Sequence, residues 1–281
     1  MADEPIDDLR PLLVSIAYRI TGSRADAEDI AQEAAVRWLK ADRSAVRSPR
    51  AFLATIATRL SLNHLRDRKA KREDYPGDWL PEPVDTSVAG NDRLDEISFG
   101  FLTLLEKLTP IQRAVFVLRT AFDCDYQEIA TIVGREAAAC RKIFSRAQAA
   151  MKAGRRQPVP AGMHSALLTK FLAAAESGNA DELARLLADD VTMRGDGGRG
   201  APALKKPLTG KYVVAKFIVA SRALLPAGTT LSIEALNGSP AAVFRARGRV
   251  VLAILIECSR NRVAQVFAIA NPEKLNAPGR G

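Results

Sequence analysis

Histidine and cysteine are the scarcest chemically useful residues in this chain of 281 residues. It has two histidines, His64 and His164, and three cysteines, Cys124, Cys140 and Cys258. Two histidines a hundred positions apart leave little for a His-rich metal site or a His-based nucleophilic triad. The cysteines form no CxxC pair, no zinc-ligand spacing and no disulfide framework; they fit small buried thiols in a reducing compartment. Neither a metal nor a cofactor is expected. Long apolar runs are missing too. The strongest, from Val250 to Ile256, falls far short of the ~20 residues of a spanning helix. The opening Met1-Ala2-Asp3-Glu4 is acidic, with neither a basic n-region nor an apolar h-region, so no secretory leader and no membrane are expected, and a cytoplasmic location is. No internal repeat or low-complexity tract is present.

What the chain does have is basic charge and enough apolar material for real cores. It carries 41 Lys and Arg against 32 Asp and Glu, a net charge of +9, with an isoelectric point near 9.7. Hydrophobic residues are 47% of the total, which excludes global disorder. At roughly 100–200 residues per domain, two or three domains are expected. The surplus of cations favours a polyanionic partner, nucleic acid or an anionic surface.

Hydrophobic spacing divides the chain. In 6–72, Leu9, Leu12, Leu13, Ile16 and Ile20 recur at helical intervals. After Thr21-Gly22, Ser23 opens a second helix with Ala27, Ile30, Ala31, Ala34 and Trp38 on one stripe and Asp26, Asp29, Gln32 and Glu33 on the other. Ser48-Pro49 opens a third, with Phe52, Leu53, Ile56 and Leu60 on one face and Thr55, Arg59, Asn63 and Arg66 opposite, running into Arg68, Lys69, Lys71 and Arg72. Residues 73–91 read as a linker, rich in Pro and Gly, in which Trp79-Leu80-Pro81 is too apolar for solvent and is expected to dock. In 92–156, Leu94, Ile97, Phe101, Leu104, Leu105 and Leu108 mark a helix face, and Thr109-Pro110-Ile111-Gln112 a cap. Two short helices about Gly134 then form a helix-turn-helix pattern whose second member turns Arg141, Lys142, Ser145 and Arg146 outward and Cys140 and Phe144 inward. The segment 162–276 changes character. Its helices hold Leu167, Phe171 and Ala174, then Leu183, Leu186 and Leu187, with a third at 212–225. A strand-like run at 191–194 precedes that third helix, and four more follow it at 231–235, 242–246, 249–257 and 263–270. Helices followed by an antiparallel meander predict an α+β domain.

This succession resembles the extracytoplasmic-function sigma factors of bacterial RNA polymerase. The resemblance rests on Asp26-Ala27-Glu28-Asp29-Ile30-Ala31-Gln32-Glu33, on Ser48-Pro49-Arg50-Ala51-Phe52-Leu53 with Asn63-His64-Leu65-Arg66, and on Tyr126-Gln127-Glu128-Ile129-Ala130 with Glu136-Ala137-Ala138-Ala139-Cys140-Arg141. The C-terminal segment resembles a SnoaL-like (NTF2-like) cone. Trp79-Leu80-Pro81-Glu82-Pro83, Asp196-Gly197-Gly198-Arg199 and Asn271-Pro272-Glu273-Lys274-Leu275 are similar to motifs of the subgroup carrying that extension. The resemblance implies two all-α domains, a region 2 bundle at 6–72 and a region 4 helix-turn-helix at 92–156, joined by the 73–91 linker and followed by the cone at 162–276. It implies core polymerase, through its β′ clamp and β flap, and promoter DNA as partners.

The same resemblance assigns candidate residues. Asp26, Asp29, Gln32 and Glu33 would meet the polymerase. Arg59, Asn63, Arg66 and Lys69 would take the −10 element as an unstacked single strand. Arg141, Lys142, Ser145 and Arg146 would enter the major groove at the −35 element. Trp79, Leu80, Pro81, Asp196, Gly197, Gly198, Asn271, Pro272 and Lys274 would form regulatory contacts between the cone and the linker. A catalytic role is not expected of the cone. Asp189, Asp190 and Glu257 are its candidate acids, but no histidine lies in its strands. A pocket there leaves room for a small ligand. The competing readings are a DNA-binding regulator that acts without polymerase and senses a small ligand, and an enzyme fused to a DNA-binding module.

Overall fold

The computed structural model describes residues 6–46, 48–72, 75–86, 97–154, 159–202 and 204–275, with the backbone alone at 69–72 and 161. Contacts divide the chain into two units, one of residues 1–74, 91–97 and 101–155, the other of 75–90, 98–100 and 156–281.

The first unit is helical. Helix α1 (Ile6–Thr21) buries Leu9, Leu12, Leu13, Ile16 and Ile20, the stripe its spacing announces. Gly22 at φ +71° ends it. The Ser23 side chain accepts the Asp26 N–H at 3.2 Å and starts α2 (Arg24–Lys40). Ser48 does the same for α3 (Pro49–Arg72) through the Ala51 N–H. Helix α4 (Phe99–Leu105) is shorter than its apolar pattern suggests. Ile97 is buried but not helical, and Leu94 lies outside the described residues. Thr109 and Gln112 close a reciprocal capping box on α5 (Pro110–Ala121), as Asp125 and Glu128 do on α6 (Tyr126–Val133). Gly134, left-handed at φ +66°, turns the chain towards α7 (Ala137–Gly154). Val115, Leu118, Ile129, Ile132 and Cys140 form the core between α5, α6 and α7.

Arg113 on α5 is 3% exposed and pairs with Glu106 at 2.5 Å while donating to the Ile20 carbonyl, at the end of α1, at 2.7 Å. Helix α5 is thereby joined to α1 through a buried charge.

The second unit is built on a six-stranded sheet. After α8 (Ala161–Glu176) and α9 (Ala180–Leu186) come β1 (Leu187–Asp196), β2 (Leu208–Thr209) and α10 (Lys211–Ser221), then β3 (Thr230–Leu236), β4 (Ser239–Ala246), β5 (Arg249–Ser259), β6 (Arg262–Ile269) and α11 (Pro272–Leu275). The strand order is β2-β1-β6-β5-β4-β3, and β1 runs parallel to β6. The sheet is therefore mixed: β3 to β6 form the expected meander, and β1 joins it from far along the chain. Leu187 opens β1 instead of closing a helix, and the third helix stops at Ser221 before a single 3-10 turn.

Alternation along the strands gives the sheet two apolar faces. Val191, Met193, Ala242, Ile254, Ile256 and Val266 pack with α8, α9 and α10. Ala241, Val243, Ala253, Leu255, Phe267 and Ile269 point the other way and pack with Leu80, Phe99 and Leu275. Phe99 meets Phe267 edge-on, with ring centroids 5.2 Å apart. The Gly100 N–H donates to Glu257 Oε1 at 3.0 Å, and a Cβ at Gly100 would overlap that carboxylate. This anchoring of Ser98–Gly100 explains why α4 begins only at Phe99.

Replacing Arg113 by Ala leaves Glu106 buried without its cation. A loss of about 3–5 kcal/mol in urea unfolding is expected, and much less for the apolar pair Arg113→Met with Glu106→Leu.

Candidate functional site: a linker clamp and two basic helices

In the second unit the linker is held by one buried carboxylate. Asp196 closes β1 and is fully buried. A carboxylate offers about four acceptor positions, and four donors converge on it. Tyr75 Oη donates at 2.5 Å and the Gly198 N–H at 3.1 Å to Oδ1; the Leu80 N–H donates at 2.8 Å and Lys274 Nζ at 2.6 Å to Oδ2. Two of these donors belong to the linker, one to the glycine loop and one to the C-terminal helix. The three separate motifs of the sequence thus meet at one side chain.

The surrounding groups complete the arrangement. Lys274, almost fully buried, also donates to the Leu80 carbonyl and lies 3.9 Å above the centre of the Trp79 ring. Asn271 donates through Nδ2 to Tyr75 Oη at 2.8 Å. Its N–H, at 3.0 Å, and that of Ala270, at 2.7 Å, bond to the Asp196 carbonyl. Gly198 has φ +56°, and a Cβ there would come within 2.6 Å of the Asn271 side chain, so glycine is required on both counts. Burial, then the adjoining Asp196, pushes the Tyr75 hydroxyl well above its ordinary pKa, which keeps it a donor. Leu80 is fully buried, Pro81 is buried and Trp79 is half-buried, so the apolar linker segment is docked.

Several members of the clamp gave no signal of this role in the sequence. Arg194 Nε holds Asp78 at 2.8 Å. Asn237, legible only as a turn residue before Gly238, accepts the Val84 N–H at 3.1 Å through its side chain and returns its own N–H to the Val84 carbonyl at 2.9 Å. Thr86 adds an N–H bond to the Ala235 carbonyl at 2.9 Å. Each joins positions more than a hundred residues apart, beyond the reach of any local pattern.

In the first unit the candidate DNA-reading residues are exposed on α3 and α7. Asn63 and Arg66 are exposed and mutually bonded at 3.2 Å. The Lys69 side chain lies outside the described residues. Arg59 is committed within the unit: Nε donates to the Ile132 carbonyl at 3.1 Å and Nη2 to the Thr131 carbonyl at 2.9 Å, in the last turn of α6. Lys142, Ser145 and Arg146 are exposed along α7, and Arg141 stacks over Tyr126 at 5.5 Å. Phe144 is half-buried, stacked on Phe116 at 5.9 Å, and Cys140 is fully buried.

Of the acidic stripe on α2, Asp29, Gln32 and Glu33 are exposed. Val36 and Leu39, 38% and 66% exposed, extend the same helix as uncovered apolar positions that hydrophobic spacing alone did not mark. Asp26 turns inward, 2.7 Å from Arg68 and 3.1 Å from His64 on α3. Burial raises its pKa, but the His64 contact and the Arg68 charge outweigh that and hold it below the ordinary carboxylate value.

Residues 6–71 match the Sigma-70 region 2 family and residues 99–151 the Sigma-70 region 4 family. The chain is 39% identical over 222 residues to the ECF RNA polymerase sigma factor SigJ of Mycobacterium tuberculosis, covering 75% of this chain and 70% of that one. It is 27% identical over 278 residues to the probable ECF sigma factor SigI of the same species, covering 95% and 92%. The crystal structure of SigJ superposes with a TM-score of 0.77 at 34% identity, over 96% of both chains. The chain belongs to the ECF RNA polymerase sigma factors. That is not a family of enzymes.

Because Asp26 has a depressed pKa, it stabilises the fold above 3.8, its ordinary value, and that contribution disappears as pH falls through the lower folded value. Asp26→Asn should flatten the decline in stability below about pH 4, measured by urea unfolding at successive pH values.

Proposed function

We propose that this chain is a promoter-specificity subunit of RNA polymerase whose C-terminal domain restrains it in cis by gripping the linker between regions 2 and 4. Membership of the ECF sigma factors supports the first part. The observation that carries the second is the linker's donation of two hydrogen bonds, from Tyr75 and Leu80, to the buried Asp196. Residues 75–86, fully extended, would add up to about 40 Å of tether between the two helical domains. Docked on the sheet, they follow one fixed path.

The acidic face of α2, with Asp29, Gln32 and Glu33 beside Val36 and Leu39, is the polymerase-facing surface in this reading. Asn63 and Arg66 on α3 take the −10 strand, with Arg59 and Lys69. Arg141, Lys142, Ser145 and Arg146 take the −35 groove. Arg59 can reach DNA only after leaving the α6 carbonyls, so the described state is a resting one. Polymerase acts by binding an open state more tightly than this one. A regulator independent of polymerase is not favoured by the family match. The sigma reading places the protein in the bacterial cytoplasm.

Tyr75→Phe removes one clamp donor, and Trp79→Ala removes the ring under Lys274; neither touches a DNA-reading helix. The bond to the charged carboxylate is worth about 1.5–3 kcal/mol and the cation–π contact about 1–2 kcal/mol, so a rise of at least about fivefold in run-off transcription is expected at limiting core polymerase. Unchanged transcription contradicts cis restraint. Failure of the wild-type chain to bind core polymerase contradicts the sigma reading itself. Arg146→Ala should reduce output from a promoter with a −35 element and spare the response to the clamp variants.

A further inference from the structure

The helix-covered face of the sheet bears a cavity of about 460 Å³, open on one side, within the range of small-molecule sites. Phe171, Met193 and Ile254 are buried in its wall, and Phe244, Leu252 and Ala268 continue it. Its few polar members are turned to the backbone. Ser221 Oγ donates to the Ile218 carbonyl at 3.0 Å, Thr229 Oγ1 to that of Pro226 at 2.6 Å, and Arg222 to those of Ala175 and Glu176. The charged residues of the lining, Glu176 and Arg222, are exposed at its open side.

The acids singled out from the sequence lie elsewhere. Glu257 points to the linker-bearing face and receives the Gly100 N–H. Asp189 is exposed and paired with Lys211 at 2.6 Å, and Asp190 is exposed. A charged ligand would lose its hydration against this hydrocarbon wall without gaining a counter-ion inside, whereas a neutral apolar one would lose only unfavourable water contact.

Leu204 connects this cavity to the linker. Its side chain lines the cavity, and its backbone carbonyl lies where a Cβ on Gly77 would come within 2.7 Å. Strand β1 provides a second connection by alternation. Met193 and Gly195 line the cavity, while the intervening Arg194 and the terminal Asp196 hold Asp78 and Leu80 on the opposite face.

We propose that the cavity binds an uncharged apolar small molecule and that its occupancy is transmitted through Leu204 and β1 to the docked linker. The transmission rests on the cis restraint proposed above; the binding does not.

The test uses the full chain with N-phenyl-1-naphthylamine, a neutral fluorescent probe. Saturable one-to-one binding is expected. At least tenfold weakening is expected for Ala268→Phe, which fills the cavity, for Leu252→Glu, which places a charge in it, and for the sulfonated anionic analogue of the probe. Two different variants keep the test decisive if one of them fails to fold. No saturable binding, or binding unaffected by any folded variant, overturns the site. For the transmission, Trp38→Phe leaves Trp79 as the single tryptophan, labelled as 5-fluorotryptophan. Its fluorine resonance is expected to shift with the same midpoint as probe binding. A resonance that does not move while the probe saturates overturns the transmission and leaves the transcription assays on clamp variants to judge the restraint separately.

Discussion

A carboxylate with no exposed surface must be supplied with donors, and Asp196 draws half of its supply from the linker. Were the linker to leave, a buried charge would lose two hydrogen bonds, and Lys274 would lose both the Leu80 carbonyl and the Trp79 ring. Buried ions tolerate such losses poorly. The linker thus completes the hydrogen bonding of a carboxylate that Lys274 neutralises, and its docking follows from that need as much as from the burial of Leu80 and Val84. Ion pairs in such surroundings add little net stability over an apolar replacement, but here the pair and its directional contacts to Tyr75, Leu80 and Trp79 fit one arrangement of the linker. That is the property a restraint requires: modest energy, high specificity, and reversibility when a stronger partner competes.

The first unit follows the same logic with different groups. Arg59 satisfies carbonyls at the end of α6, where a helix leaves acceptors unpaired and attracts cations. Arg113 does so for the end of α1. The two differ in depth. Arg113 is buried and ion-paired, a structural bond; Arg59 is exposed and, among the described residues, held by two carbonyls, and water can replace them at low cost. A basic side chain assigned to nucleic acid can therefore rest on a helix end and still be released.

Much of this was legible in the residues. Periodicity marked the helices of the first unit, and Ser23, Ser48 and Thr109 marked their starts, because caps and amphipathic stripes are local chemistry. The docking of Trp79 and Leu80 followed from their apolar bulk among prolines. Strand β2 did not show itself, since two residues carry no period. The parallel pairing of β1 with β6 was hidden because no local feature joins Met193 to Val266. Asn237 is a hairpin residue, at φ +50°; its second role depends on a strand-like linker 153 positions away. Asp26 was assigned to a partner surface but turned towards His64 and Arg68, a choice set by the packing of α2 on α3 and not by either helix alone. The sequence thus named the motifs at 79–83, 196–198 and 271–275, while the geometry of their meeting required the fold.

Backbone hydrogen exchange at Leu80, Val84 and Thr86, whose N–H groups bond to Asp196, Asn237 and Ala235, measures the clamp directly. Cis restraint requires these three amides to be strongly protected in the free chain and to exchange much faster once core polymerase and promoter DNA are bound. Exchange at the rate of an open chain in the free protein, or protection unchanged by the polymerase, would contradict it.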